Sequence, residues 1–303
     1  MNISPISVAL MKSQVLGSLT NSTQDAKKSD SFSTIFSLLA ENRVPPAQLT
    51  ANPLLPITQN GNIAPTGSVK DVAPVGRNMA LTDPESAYKM MTYINNKEVY
   101  YKAQFSELSQ LKTYVFRMQD AGQELGAIAL ATGNDDIKSK LHDFVGQYNN
   151  WILRFGTDLR KGGLLSDTQA AQVSQYELEQ NVKNRFFGIS HGVHGLSDLG
   201  IKIDPNTRLA SLDSAKLDSL LATNKQGAVD AVQEFSINFA KSASLLNSDN
   251  NFILSQLDNL NRAIHYIADN KESLQKEFGT GDTANPTGNV AQALAVYNQT
   301  FST

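Results

Sequence analysis

From Pro84 onward the apolar positions fall into helical stripes. Asp83-Pro84-Glu85 reads as a helix start, with Asp as N-cap, Pro at the first helical position and an acid in the first turn. Tyr101, Phe105, Leu108, Leu111, Val115 and Met118 then recur at threes and fours, which predicts one buried face of a long helix ending between Gly122 and Gly133. Asn134-Asp135-Asp136 opens a second helix with the stripe Ile137, Leu141, Phe144, Tyr148, Ile152 and Phe155, and Gly162-Gly163 marks a loop after it. Leu199–Asp204 and Leu209–Leu212 alternate as strands do around the turn text Asp204-Pro205-Asn206-Thr207, predicting a hairpin. Asp213 caps a short helix carrying Leu217, Leu220 and Leu221. Gly227 precedes a further helix with Val229, Val232, Phe235 and Phe239.

The last third carries the most regular period. Ile253, Leu257, Leu260, Ile264, Ile267, Lys271, Leu274 and Phe278 recur at 4-3-4-3-4-3-4, a heptad seam interrupted only by Lys271. So narrow a seam predicts a coiled-coil-like partner, either the helix after Pro84 in the same chain or a helix of a neighbouring copy. Residues 279–286 form a polar break. A last amphipathic helix follows, with Val290, Leu294, Tyr297 and Phe301 at 4-3-4. Its apolar face runs to the end of the sequence, which suits either assembly or docking within the chain.

Before Pro84 the text changes. Eight of the ten prolines lie at or before Pro84, and residues 41–83 are rich in Pro, Gly, Asn and Thr without apolar periodicity, the composition of a flexible linker. Two short amphipathic pieces precede it, around Ile6 and Leu10 and around Phe32, Ile35, Leu38 and Leu39. Pieces so short are marginal alone and are expected to be a disordered tail or to order against a partner. The expected fold class is mostly α: long antiparallel coiled-coil-like helices, a small α/β segment of hairpin plus short helix, and a disordered N-terminal region.

Composition removes several kinds of chemistry. The 303 residues carry 26 Lys+Arg against 29 Asp+Glu, a net charge of -3 that leaves no basic excess for nucleic acid. With no cysteine there is no disulfide, thiolate nucleophile or Cys-ligated metal. The apolar runs near the start, Val8–Met11 and Ile35–Ala40, are too short to span a bilayer, and the first residues lack the basic and apolar regions of a secretory signal. Export, if it occurs, is expected to use a route without one.

Catalytic signals are weak. His191 and His194 have a spacing that metal ligands use, but Asp198 is the only nearby carboxylate and glycines surround the pair. Ser190-His191 are chain neighbours, which does not by itself set a base on a hydroxyl. Glu177 and Glu179, two apart on a helix, point to different faces. The Gly279–Asp282 loop follows no strand that would make it a phosphate cradle. His142 and His265 lie beside apolar stripes and read as structural or exposed. Trp151, Phe155, Phe186 and Phe187 read as core, not as a stacking platform. No catalytic, cofactor-binding or metal-ligating residue is therefore expected, and no cofactor.

Two segments, Leu196–Asp204 (LSDLGIKID) and Leu212–Ala222 (LDSAKLDSLLA), resemble the C-terminal part of the flagellar filament cap protein family FliD (hook-associated protein type 2). The carrying residues are Leu199-Gly200-Ile201, Ser211-Leu212-Asp213, Lys216-Leu217 and Leu220-Leu221-Ala222, followed by Asn224 and Val229. Upstream, Phe144-Val145 with Tyr148-Asn149, and Leu164-Leu165-Ser166-Asp167, match further family text in the right order. The resemblance covers roughly residues 137–280. A weaker likeness at Leu108, Leu111-Lys112 and Met118-Gln119-Asp120 matches the family's first long helix. The family places a large β-rich insert after that helix, where this chain has only Gly126–Asp136. The Asp-Gly usual at the hairpin turn is replaced by Asp204–Arg208, with Ala210 as an extra residue, and about 80 residues precede the similar part.

The resemblance implies a division into an N-terminal leader, 1–83, a cap-like helical leg, 84–280, with a shoulder at about 164–245, and a C-terminal assembly helix, 281–303. It implies a non-enzymatic axial component of the bacterial flagellum, at the filament or hook end, outside the cell. Its partners would be further copies of itself, flagellin, hook-junction or other axial subunits, and an export chaperone, with no nucleic acid and no membrane insertion. Export would go through the flagellar type III channel. Without the outer domains the protein is expected to join, cap or modulate, and not to fold flagellin as a full cap does. The alternatives are a cytoplasmic export adaptor or assembly regulator built on the same leg, and an enzyme centred on His191 and His194.

Overall fold

The computed structural model describes residues 75–186, 190–249 and 251–301. The amphipathic pieces near Ile6 and Phe32, and most of the 1–83 leader, lie outside the described residues. Among the described residues there are eight α-helices and one two-stranded sheet. In chain order these are α1 (Pro84–Leu125), α2 (Asn134–Phe155), α3 (Gln169–Lys183), β1 (Ile201–Ile203), β2 (Ala210–Leu212), α4 (Ser214–Thr223), α5 (Lys225–Leu246), α6 (Phe252–Asp269), α7 (Lys271–Phe278) and α8 (Gly288–Phe301).

The 42-residue α1 is the spine, about 63 Å long. It starts as expected: Asp83 accepts from the Ser86 N–H at 3.0 Å and Pro84 occupies the first turn. Helices α2, α5, α6, α7 and α8 all pack on it. Helix α5 runs antiparallel along its second half, since Lys225 reaches the Thr132 carbonyl, Gln233 that of Ile128 and Ser236 that of Gly122. Helices α6 and α7 follow along the first half, ending where Asn78 caps the Lys276 and Glu277 carbonyls. The core is built from these stripes. Leu108, Leu111, Val115 and Met118 of α1 are buried, as are Ile137, Leu141, Phe144, Tyr148, Ile152 and Phe155 of α2. Phe144 meets Phe235 and Phe239 edge-on, each at 5.1 Å.

Two boundaries differ from the sequence reading. The heptad seam is not one helix: it breaks at Asn270, whose side chain bonds back to the Tyr266 carbonyl at 2.9 Å and competes with helix continuation. Helix α5 starts at Lys225, so Gly227 lies inside its first turn, its N–H capped by Asn224. A side chain there would collide with Asn224 and Val193, which is what requires glycine.

The hairpin forms in the predicted place, with Ile201 opposite Leu212 and Ile203 opposite Ala210. One carboxylate oxygen of Asp204 accepts from the Asn206 N–H, the Thr207 N–H and the Thr207 hydroxyl. That closes the turn without the Asp-Gly pair and leaves Arg208 at φ +62°. The Arg208 guanidinium then bonds Glu179 of α3 at 2.7 and 3.0 Å.

Candidate assembly surfaces and the hairpin shoulder

The seam and the spine meet within one chain. Ile253, Leu257, Leu260, Ile264 and Ile267 of α6 and Leu274 of α7 are all buried, Phe278 is half-buried, and α6 and α7 both pack on α1. Lys271, the polar member of the seam, is used. Its ammonium lies 3.0 Å from Glu98, which also holds Lys102 at 2.6 Å. Burial alone would raise the Glu98 carboxyl, but the two ammonium groups outweigh it and hold the group below its ordinary value. These seam residues are therefore core within the chain and not a free surface.

The terminal stripe also finds a partner in its own chain. Ala293 and Tyr297 of α8 are buried, Val290 and Leu294 are partly so, and Ala293 packs with Ala103 and Leu164. Phe105 of α1 receives Tyr297 at 5.9 Å and Phe301 at 5.2 Å, both edge-on. Phe301 remains 40% exposed.

The residues carrying the family text are brought together in the shoulder, and each has a physical task. Asn149 of α2 grips β2 at two points: its amide donates to the Ala210 carbonyl at 2.9 Å and accepts from the Ala210 N–H at 2.7 Å. Phe144 and Tyr148 bury the helix face one turn around it. Leu199, Ile201 and Leu217 are buried and Leu212 is half-buried, while Asp213 caps α4 through the Lys216 N–H. Gly200 has φ +97°, and a Cβ there would sit 2.8 Å from the Asp213 carbonyl oxygen, so the strand enters where only glycine fits. Asn149→Ala is expected to cost about 1 kcal/mol. It should also remove the hydrogen-exchange protection of the Ala210 amide selectively. An Ala210 amide that stays protected would contradict the two-point grip.

Three features were not read from the sequence. Lys97 of α1 is only 5% exposed and makes no ion pair among the described residues. Its ammonium lies 5.4–5.7 Å from the rings of Tyr93, Tyr100 and Tyr101. Burial pushes the lysine down to about 8 and the Tyr100 phenol up to about 12.

The second is a charged node. Arg154 donates to both Glu107 oxygens at 2.7 and 2.9 Å and to Gln110 at 2.8 Å, and lies 3.5 Å from Asp158. Burial nonetheless holds the Glu107 carboxyl above its ordinary value, with Arg154 opposing.

The third is a clasp at the start of α1. Asp282 accepts from the Tyr88 hydroxyl at 2.7 Å and its N–H donates to Thr92; Asn95 donates to the Thr280 and Asp282 carbonyls, and the Thr280 N–H to that of Gly76. The Gly279–Asp282 text thus serves backbone approach: a Cβ on Gly281 would lie 2.5 Å from the Thr92 nitrogen.

The histidines show no convergence. His191, in a left-handed conformation at φ +72°, pairs with Asp230 at 2.9 Å, and His194 Nδ1 lies 3.1 Å from the Phe186 carbonyl. His142 lies 3.4 Å from the Ser214 hydroxyl and His265 bonds the Asn261 carbonyl. Among the described residues no three His, Asp or Glu side chains gather as a metal site would need. No described helix is long and apolar enough to cross a membrane.

The family model described as the flagellar hook-associated protein 2 C-terminus matches residues 114–285, more than half of the chain. That span takes in the last 12 residues of α1, the shoulder, the seam and the 279–282 side of the clasp. No curated protein and no solved structure matches.

Proposed function

The chain belongs to the flagellar hook-associated protein 2 family, and from that membership we propose that it is a non-enzymatic structural component of the flagellar axis. On this reading it is exported and acts at the filament or hook end through helix packing with further copies and other axial subunits. The observation that carries the proposal is the arrangement of the matched residues: α5, α6 and α7 laid antiparallel on the spine helix, whose last 12 residues are themselves matched, with the hairpin shoulder fastened to α2 by Asn149. Residues 126–133 alone join α1 to α2. That short link stands where the family resemblance implies a large outer insert, which favours a joining, capping or modulating part over a chamber that folds flagellin. Nothing in the family match favours an export adaptor, and the scattered histidines give no support to an enzyme centred on His191 and His194.

The test is location. The protein is expected in sheared filaments or culture medium when residues 1–80 are present, and to be lost from both when they are deleted. Strict retention of the full chain in the cytoplasm would overturn the axial reading and favour the adaptor.

A further inference from the structure

Helix α8 is joined to the rest of the chain by a linker that makes no bonds among the described residues. Up to Asp282 the returning chain is bonded to α1 through the clasp. Beyond it, Thr283, Ala284, Asn285 and Pro286 make no hydrogen bond or ion pair among the described residues. Gly288 then turns the chain at φ +58° with open space where a side chain would stand. Of the 14 residues of α8 only Ala293 and Tyr297 are buried, whereas the 18 residues of α6 bury six. The helix is held to the body by the Asn289 amide, which donates to Asp158 at 3.2 Å, and by the rings of Tyr297 and Phe301 against Phe105. With two buried residues and that unbonded linker, it opens at less cost than global unfolding. When it opens, it uncovers an apolar strip on α1 and its neighbour: Tyr100, Ala103, Phe105 and Leu164. The shape that fits this strip is already known, because α8 of any copy carries it.

We propose that α8 is an exchange helix, which leaves its own α1 and docks by the same Ala293 and Tyr297 face on α1 of a second copy. The exchange needs no new contact, only the replacement of one covalent neighbour by another. The five residues 283–287 reach at most about 17 Å, so exchanging copies lie side by side with their α1 helices close. The biological meaning of the exchange rests on the axial-assembly reading. The exchange itself is a property of the purified chain and is decided independently of where the protein is found.

The absence of cysteine makes the test direct. Ala103 and Ala293 pack in one cluster, so the double variant Ala103→Cys, Ala293→Cys is expected to close a disulfide within one chain when oxidised dilute. A size-tagged Ala103→Cys chain mixed with an untagged Ala293→Cys chain is then oxidised, which gives a mixed covalent dimer only if α8 of one copy lies on α1 of another. The mixed fraction is expected to rise with concentration. It should rise several-fold further when Thr283–Asn285 are deleted, because a shortened hinge no longer reaches its own α1. The control pairs Ala103→Cys with a cysteine at exposed Lys241. Mixed dimer no more abundant than in that control at every concentration, with the double variant closing normally, overturns exchange. A double variant that folds by circular dichroism but forms no disulfide either within or between chains overturns it too. If Ala103→Cys does not fold, Phe105→Cys with Phe301→Cys supplies the same readout.

Discussion

Replacing Arg154 by methionine is expected to cost the fold about 3–5 kcal/mol at neutral pH, the usual penalty for stranding buried charge. The side chains of Glu107 and Asp158 are 8% and 6% exposed, and Arg154 is the cation that touches both. Methionine keeps the stem packed on Phe155, so the loss isolates the charge from the volume. Glu107 gives the effect a pH signature. Burial already lifts its carboxyl above the ordinary value of 4.5 with Arg154 present, and removing Arg154 lifts it further. A carboxyl raised in the folded state takes up a proton on folding. The penalty is therefore complete above the folded value and fades as pH falls toward 4.5. Urea unfolding from pH 7 to pH 4 should show wild type and variant converging. A constant gap, or none at pH 7, would mean that the node is solvated and contributes little.

What could be read from the sequence was what is local. The stripes of α1 and α2 follow from threes and fours, the Asp83 and Asp213 caps from their neighbours, and the hairpin from the Asp204 turn. Even the Asp-Gly substitution was legible as a turn, because Asp204 bonds within three residues. The seam gave its partner as one of two choices, and burial of Ile253–Leu274 against α1 resolves them in favour of the same chain. The missed features are those whose partners are distant. Tyr88 and Asp282 are 194 residues apart, and Glu107 and Arg154 are 47 apart. No local pattern marks Gly281 as a site of backbone contact. The Asn270 break was hidden for another reason: the apolar period continues through it to Leu274, so spacing alone reported one helix where there are two. Lys97 was passed over because lysine beside an apolar stripe usually lies in solvent.

That lysine carries the second large effect, of opposite sign. Lys97→Met is expected to stabilise the protein by about 2 kcal/mol at pH 7, raising Tm by about 4–8 °C. Burial holds the folded amine at about 8 against 10.5 in the unfolded chain. A depression of that size corresponds to about 3 kcal/mol against the charged form. The three tyrosine rings oppose it, but at 5.4–5.7 Å they lie near the limit of the interaction and together return about 1 kcal/mol. Methionine fills a similar volume without the charge. The same balance fixes the pH behaviour of the wild type. Below about 8 the folded amine is protonated and the penalty is complete. Between about 8 and 10 the unfolded chain holds the proton that the folded chain has lost, so stability rises with pH. Above 10.0 the trend reverses, because Tyr93, Tyr100 and Tyr101 are all raised in the fold while their unfolded counterparts ionise. Wild type should therefore gain stability from pH 8 toward pH 10 and the variant should not. If the rings dominate instead, Lys97→Met will be the less stable protein, and the wild type will show no rise in that interval.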